Sequence, residues 1–245
     1  MEHWEALCPG GLRFVYDEAL FRPGTDTFLL SSLPRLKPGL RVCDLGCGTG
    51  LLGLLLLQRQ AQLRVTGVEL QPEAAALAAR AAAENGLQER FTVLRGDLRE
   101  IRTLLPAGGF DLVVCNPPYY PAGSGRSPAP AALRNAREES ECTLEEVCQA
   151  AAYLLRWGGG FCLCHKPERL ADLCCALRTA GLEAKRLRPV LQRPGSAAPS
   201  LLLLEGRRGG RPGLRWLPPL VLEQSGGTPT AELDAIYFRQ QEDTP

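Results

Sequence analysis

No run in this chain approaches the roughly 18 apolar residues that a membrane-spanning helix needs. The richest stretch, LLGLLLLQRQ at 51–60, turns polar after Leu57. The opening MEHWEALCPGG has neither a basic start nor an apolar segment, so no secretory signal is expected, and the chain is read as cytoplasmic with no membrane partner. Paired metal ligands are also missing. Cys162 and Cys164 stand two apart in CLCHK, share one face if that segment is a strand, and have no second pair at zinc-site spacing. No metal is therefore expected. The ten cysteines fall within apolar patterns, Cys43, Cys115, Cys162 and Cys164 among them, and read as free thiols in a reducing compartment. No internal repeat is visible, and the sequence leaves the oligomeric state open.

Neither sign of charge dominates, since the formal net charge is +1, but the charge is unevenly spread. Between 185 and 215 lie Lys185, Arg186, Arg188, Arg193, Arg207, Arg208, Arg211 and Arg215 against the single acid Glu205. The remaining chain is mildly acidic. Such a segment suits a phosphate-binding surface; it also suits arginines that merely solvate a surface.

From residue 40 onward, apolar runs alternate with helical patterns. RVCDL (41–45), RVTGVEL (64–70), FTVLRGD (91–97), FDLVVCN (110–116) and FCLCHK (161–166) read as strands. Helices are expected over 50–60, 72–87, 143–160 and 167–182, the second opening on Pro72 and stopping at Asn85-Gly86. Two late strands, 184–191 and 200–207, follow without an intervening helix. This order predicts an α/β fold of Rossmann-like type: a mostly parallel seven-stranded sheet with an antiparallel edge hairpin and helices on both faces. The whole of 1–245 reads as one domain. Residues 119–142 and 206–245 break the rhythm, and loops of that length are usually functional or mobile.

VCDLGCGTGLLG (42–53) occupies the first strand-to-helix junction. Gly46, Gly48 and Gly50 allow a tight turn and close approach of a ligand, in a G-x-G-x-G spacing unlike that of dinucleotide sites. Asp44 precedes the turn, Glu69 ends the next strand within reach of ribose hydroxyls, and Asp97 ends the third. The Asp97 carboxylate suits an exocyclic adenine amine, with the Leu98 N–H as a donor to the ring. A glycine turn and two acids on three successive strand ends is what an adenosine requires. The pattern DLGCGTG, VEL, GD resembles the class I S-adenosylmethionine-dependent methyltransferases and implies that cofactor.

The fourth strand ends in NPPYY (116–120), beyond which ligands of open α/β sheets bind. These residues resemble the N-P-P-Y motif of amino-methyltransferases. That resemblance implies that the Asn116 amide oxygen and the Pro117 carbonyl each accept one N–H of a poorly nucleophilic amine, while Tyr119 stacks on a planar substrate. Tyr120 is read either as a second substrate contact or as a support for the loop.

The segment FVYDEALFRPGTDTFLLSSL (14–33), together with NPPYYPAG, LRNAREES and PLVLEQSGGTPTAELDAIY, resembles the tRNA1(Val) adenine(37)-N6 methyltransferase family over essentially the whole chain. The resemblance implies transfer of a methyl group to an adenine N6 in tRNA, next to the anticodon. Residues 1–39 would cover the cofactor, with Gly24, Thr25 and Asp26 over its methionine end. The 119–142 loop would meet the substrate, and Arg193, Arg207 and Arg208 would hold tRNA phosphates. The insert SGRSPAPAAL (124–133) and the tail EQSGGTPTAEL are looser matches. Another RNA, a protein glutamine, or a role as a non-catalytic cofactor-binding module are the alternatives. Against them stand the absence of a helical bundle before the glycine turn and the intact N-P-P-Y.

Overall fold

A computed structural model describes residues 1–18, 23–117 and 142–239. Tyr119, Tyr120 and nearly all of the expected substrate loop lie outside the described residues. The chain opens with an antiparallel hairpin, β1 (Glu2–Ala6) and β2 (Arg13–Asp17). A short helix, α1 (Thr25–Ser31), precedes the main alternation. This runs β3 (Arg41–Leu45), α2 (Leu51–Arg59), β4 (Arg64–Glu69), α3 (Pro72–Glu84), β5 (Phe91–Arg95), α4 (Ile101–Leu104) and β6 (Phe110–Cys115). It continues through α5 (Leu144–Leu154), β7 (Leu155–His165), α6 (Leu170–Thr179), β8 (Leu182–Leu191) and β9 (Leu201–Arg208). Two-residue strands β10 (Arg215–Trp216) and β11 (Leu220–Val221) and the helix α7 (Ala231–Ile236) complete it.

The sheet runs β5-β4-β3-β6-β7-β9-β8, the seven strands expected, and β10 and β11 add to the free edge of β8. Only β9 is antiparallel to its neighbours, and it lies inside the sheet between β7 and β8. The alternation of side chains along each strand feeds two separate cores. Val42, Val114, Cys162 and Cys164 face α1, α2 and α3, whereas Cys43, Val113, Phe161 and Leu163 face α4, α5 and α6.

Local chemistry explains most boundaries. Pro72 starts α3, and Gly86, at φ 65°, follows its Asn85 cap. A capping box starts α5: Thr143 Oγ1 accepts from Glu146 N (3.2 Å) and the Glu146 carboxylate accepts from Thr143 N (2.7 Å). That helix is shorter than its sequence pattern. It ends at Leu154, and Leu155 already pairs with Phe110, so 155–160 belongs to β7 rather than to a helix with a glycine stop. Parallel pairing with β6 outcompetes local helical propensity there. The hairpin was not apparent from sequence. It buries Phe14 and Val15, and it clasps α3 through Arg13–Glu84 (2.8 Å), Arg80–Glu2 (2.9 Å) and reciprocal bonds between Arg13 and Asn85.

Candidate active site

The carboxyl ends of β3, β4, β5 and β6 open into one cleft, lined among others by Asp44, Gly46, Gly48, Glu69, Asp97, Leu98, Asn116 and Pro117. Eight expected site residues are thus brought together. Three others are placed differently. Thr25 is exposed, Asp26 is half-buried, and neither lines the cleft; from that segment Pro23 and Thr27 do. Gly50 lies behind the turn, where an added Cβ would meet Ala78 and the Phe91 ring at 3.0 and 3.1 Å. The hairpin packs on α3, and among the described residues of the N-terminal segment Pro23 and Thr27 line the cleft.

The glycine turn is tied to its surroundings through its backbone N–H groups. Gly46 N and Cys47 N donate to Val68 O (2.9 and 3.1 Å), and Gly48 N donates to Glu69 Oε2 (2.8 Å). The other oxygen of Glu69 accepts from Gln71 N at 2.9 Å. Gly46 and Gly48 sit at φ 66° and 54°, and a Cβ on either would meet nothing within 4 Å. Their bare backbone therefore faces open space in the cleft, a cradle that side chains would fill. Asp44 is buried and accepts from Gly53 N in the first turn of α2 (3.2 Å). Burial pushes its carboxyl up to about 8; the Gly53 N–H opposes this and the nearby Glu69 charge adds to it. At the end of β5, Asp97 accepts from Arg99 N and from the Arg99 guanidinium (both 2.9 Å), which holds its carboxyl below the usual range despite partial desolvation. Burial raises the Cys47 and Cys115 thiols well above their ordinary value, which favours their protonated form.

Asn116 follows β6 directly. Its Nδ2 donates to Thr27 Oγ1 at 2.9 Å and its Oδ1 accepts from Cys164 Sγ at 3.1 Å. Thr27 and Cys164 are both buried, on α1 and β7. Sequence reading stopped one residue short of Thr27 and assigned Cys164 to the core alone. The register β6–β7, in which Cys115 faces Leu163, carries the signal that Cys164 lies beside Asn116. His165, the next residue, is buried and takes a bond from Lys166 N to its Nδ1 (2.9 Å); burial holds its imidazole down at about 4.

The basic segment is mostly engaged within the fold. Arg186 pairs with Glu205 and donates to Leu33 O (2.8 Å), Arg188 pairs with Glu232 (2.6 Å), and Arg193 pairs with Glu223 (2.8 Å). Arg207 lies 3.6 Å from Glu205, and Arg208 donates to Leu155 O. Arg193 follows β8 at the cleft end of the sheet. Arg207 and Arg208 pair with Gly160 and Leu182 at the opposite end, away from Asn116. Among the described residues no group of three or more His, Cys, Asp or Glu could hold a metal, and no helix is long and apolar enough to cross a membrane.

The family described as "Methyltransferase small domain" matches residues 15–166. A Porphyromonas gingivalis protein named tRNA1(Val) (adenine(37)-N6)-methyltransferase is 34% identical over 204 residues, 80% of this chain and 78% of the relative. A Yersinia enterocolitica protein of the same name is 30% identical over 235 residues, 93% of this chain and 90% of the relative. Among solved structures, a predicted O-methyltransferase from Agrobacterium tumefaciens superposes with a TM-score of 0.71 at 24% identity, covering 87% of this chain and 96% of that one. A geranyl diphosphate methyltransferase solved in complex with SAM gives 0.55 at 17% identity, covering 74% and 83%. These two likenesses are of fold.

Proposed function

The chain belongs to the methyltransferase small domain family, with relatives named tRNA1(Val) (adenine(37)-N6)-methyltransferase, and from that premise we propose that it methylates the exocyclic N6 amine of an adenine in tRNA, at position 37 of the anticodon loop. The observation that carries the proposal is the Asn116 carboxamide at the wall of the glycine-turn cleft. S-adenosylmethionine, when bound, supplies a sulfonium methyl group. The bare backbone at Gly46 and Gly48 fits such a cofactor, with Glu69 on the ribose and Asp97 and Leu98 on the adenine.

Asn116 Oδ1 and the Pro117 carbonyl each accept one N–H of the substrate amine. Both hydrogens are then held to one side, the lone pair is aimed into the cleft, and positive charge developing on nitrogen is stabilised. The neutral carboxamide accepts without adding a full charge. With the cofactor bound, the aimed lone pair would take the methyl group as the S–C bond breaks, and the surplus proton would leave to water. Tyr119 and Tyr120 are assigned to stacking and loop support around a base that is already single-stranded and costs little to turn outward. Residues 119–142 form the substrate loop in this reading, and Arg193, at the cleft end, meets phosphate.

The test is incubation of the protein with labelled S-adenosylmethionine and separate tRNA and protein fractions, followed by nucleoside analysis. Label in N6-methyladenosine of tRNA is expected. Label confined to protein, or to another nucleoside, overturns the proposal.

A further inference from the structure

We infer that Thr27 and Cys164 are positioning residues that fix the Asn116 carboxamide in the orientation methyl transfer needs, an inference that rests on the reading of Asn116 as the amine-holding group. An asparagine side chain presents an acceptor at one terminus and two donors at the other, and the two termini are nearly equal in shape. Turned over, Asn116 would point N–H groups at an incoming NH2 and hold nothing. Geometry alone does not prevent this; the neighbours must.

The two partners are chemically unequal. A hydroxyl accepts well and can also donate, whereas a thiol is a weak donor and a weak acceptor, so the two partners hold the carboxamide in place with unequal strength. Thr27 Oγ1 accepts from Nδ2 at 2.9 Å, and Cys164 Sγ meets Oδ1 at 3.1 Å. In the flipped arrangement an N–H would face sulfur, a poor exchange where both partners are buried. A thiol competes with the substrate amine for Oδ1 less than a buried donor of ordinary strength would.

The threonine is itself held in place. The α1 helix that carries it is clasped by the C-terminal segment: Phe28 stacks on Tyr237 at 4.3 Å, and Arg59 bridges Ser31 Oγ (3.1 Å) to Ile236 O (2.7 Å).

The experiment uses the full chain and two independent readouts. In steady-state methylation of tRNA, Thr27→Val should lower kcat by about 10–100-fold, the scale of a misplaced reacting group, with a smaller change in the Kd for S-adenosylmethionine, because valine keeps the shape that Thr27 presents to the cleft. Thr27→Ser should restore most of that activity. Cys164→Ala should cost less, and Cys164→Ser should recover part of the loss. Wild-type kcat in Thr27→Val, a loss wholly in cofactor affinity, or a Thr27→Ser no better than Thr27→Val overturns the inference. In the second readout, 15N-asparagine labelling reports the Asn116 side-chain NH2 pair, assigned by its loss in Asn116→Asp. Thr27→Val should shift that pair and speed its exchange with water; an unchanged pair also overturns the inference. If the wild type makes no N6-methyladenosine in tRNA, the substrate assignment fails, and the resonance still decides the role of Thr27.

Discussion

The two halves of the cleft are built by different means. On the cofactor side, Gly46, Cys47 and Gly48 are fastened to Val68 and Glu69 by main-chain donors, and every partner lies on the neighbouring strand end. On the amine side, a single carboxamide is held by side chains from α1 and β7. The backbone bonds to Val68 survive substitution of the residues that make them, whereas a side-chain bond, that of Gly48 N to Glu69 included, ends with its side chain. The first half should therefore tolerate change in graded fashion, and the second should fail abruptly.

The largest expected effect tests the amine side. Asn116→Ala should lower kcat by about 100–1000-fold, as for loss of a donor or acceptor acting on transition-state charge, while calorimetric affinity for S-adenosylmethionine stays within about twofold. Equal losses in both quantities would erase the distinction between the halves. Next, Glu69→Ala removes a carboxylate that accepts from Gly48 and Gln71. Cofactor Kd should rise about 10–100-fold, matching about 1.5–3 kcal/mol for a charge-assisted bond, with kcat at saturation little changed.

Behind the glycine turn, a methyl group at Gly53 would meet the Phe91 ring at 2.7 Å. Gly53→Ala should cost about 1–3 kcal/mol of stability by overpacking, read by denaturant unfolding. A smaller effect concerns pH. Asp44, raised in the folded protein to about 8 from 3.8, keeps its proton on folding. Its contribution to stability is full below about pH 4 and is lost as pH rises through about 8. His165, lowered from 6.5 to about 4, acts oppositely and loses stability as pH falls through that window. Between pH 7 and 8, Asp44→Asn should flatten the decline of Tm in the ligand-free protein, while His165 contributes no slope there. Smallest of all, Arg207→Glu should change tRNA KM by less than about threefold, because its strand end lies away from the cleft; a steep loss accompanied by a reduced salt slope would assign it a phosphate.

Why one half was legible in the sequence follows from the same contrast. Glycines and acids at the ends of consecutive strands are local features, and the alternation of strands and helices fixed their order. Asn116 was legible because it interrupts an apolar run. Thr27 and Cys164 carry no local signal: they matter through contacts spanning 89 and 48 residues. The same holds for elements that owe their existence to a neighbour. β10 and β11 are two residues each and form because the edge of β8 offers partners, and 155–160 leaves its helical pattern because β6 needs a parallel neighbour. The basic segment is a mixed case: its composition suggests a phosphate surface, and contacts with Glu205, Glu223 and Glu232 and several carbonyls, which have no local signal, engage most of its guanidinium groups.

The separations that join α1, β6 and β7 also bear on how the molecule is assembled in time. Contacts that close long loops pay their entropy before any reward arrives, and they form late. Gly48 and Glu69 are 21 residues apart, whereas Thr27 must find Asn116 across 89. During refolding from denaturant, the capacity to retain a nucleoside should return first and turnover should lag behind it, leaving an interval in which the protein holds its methyl donor and transfers nothing.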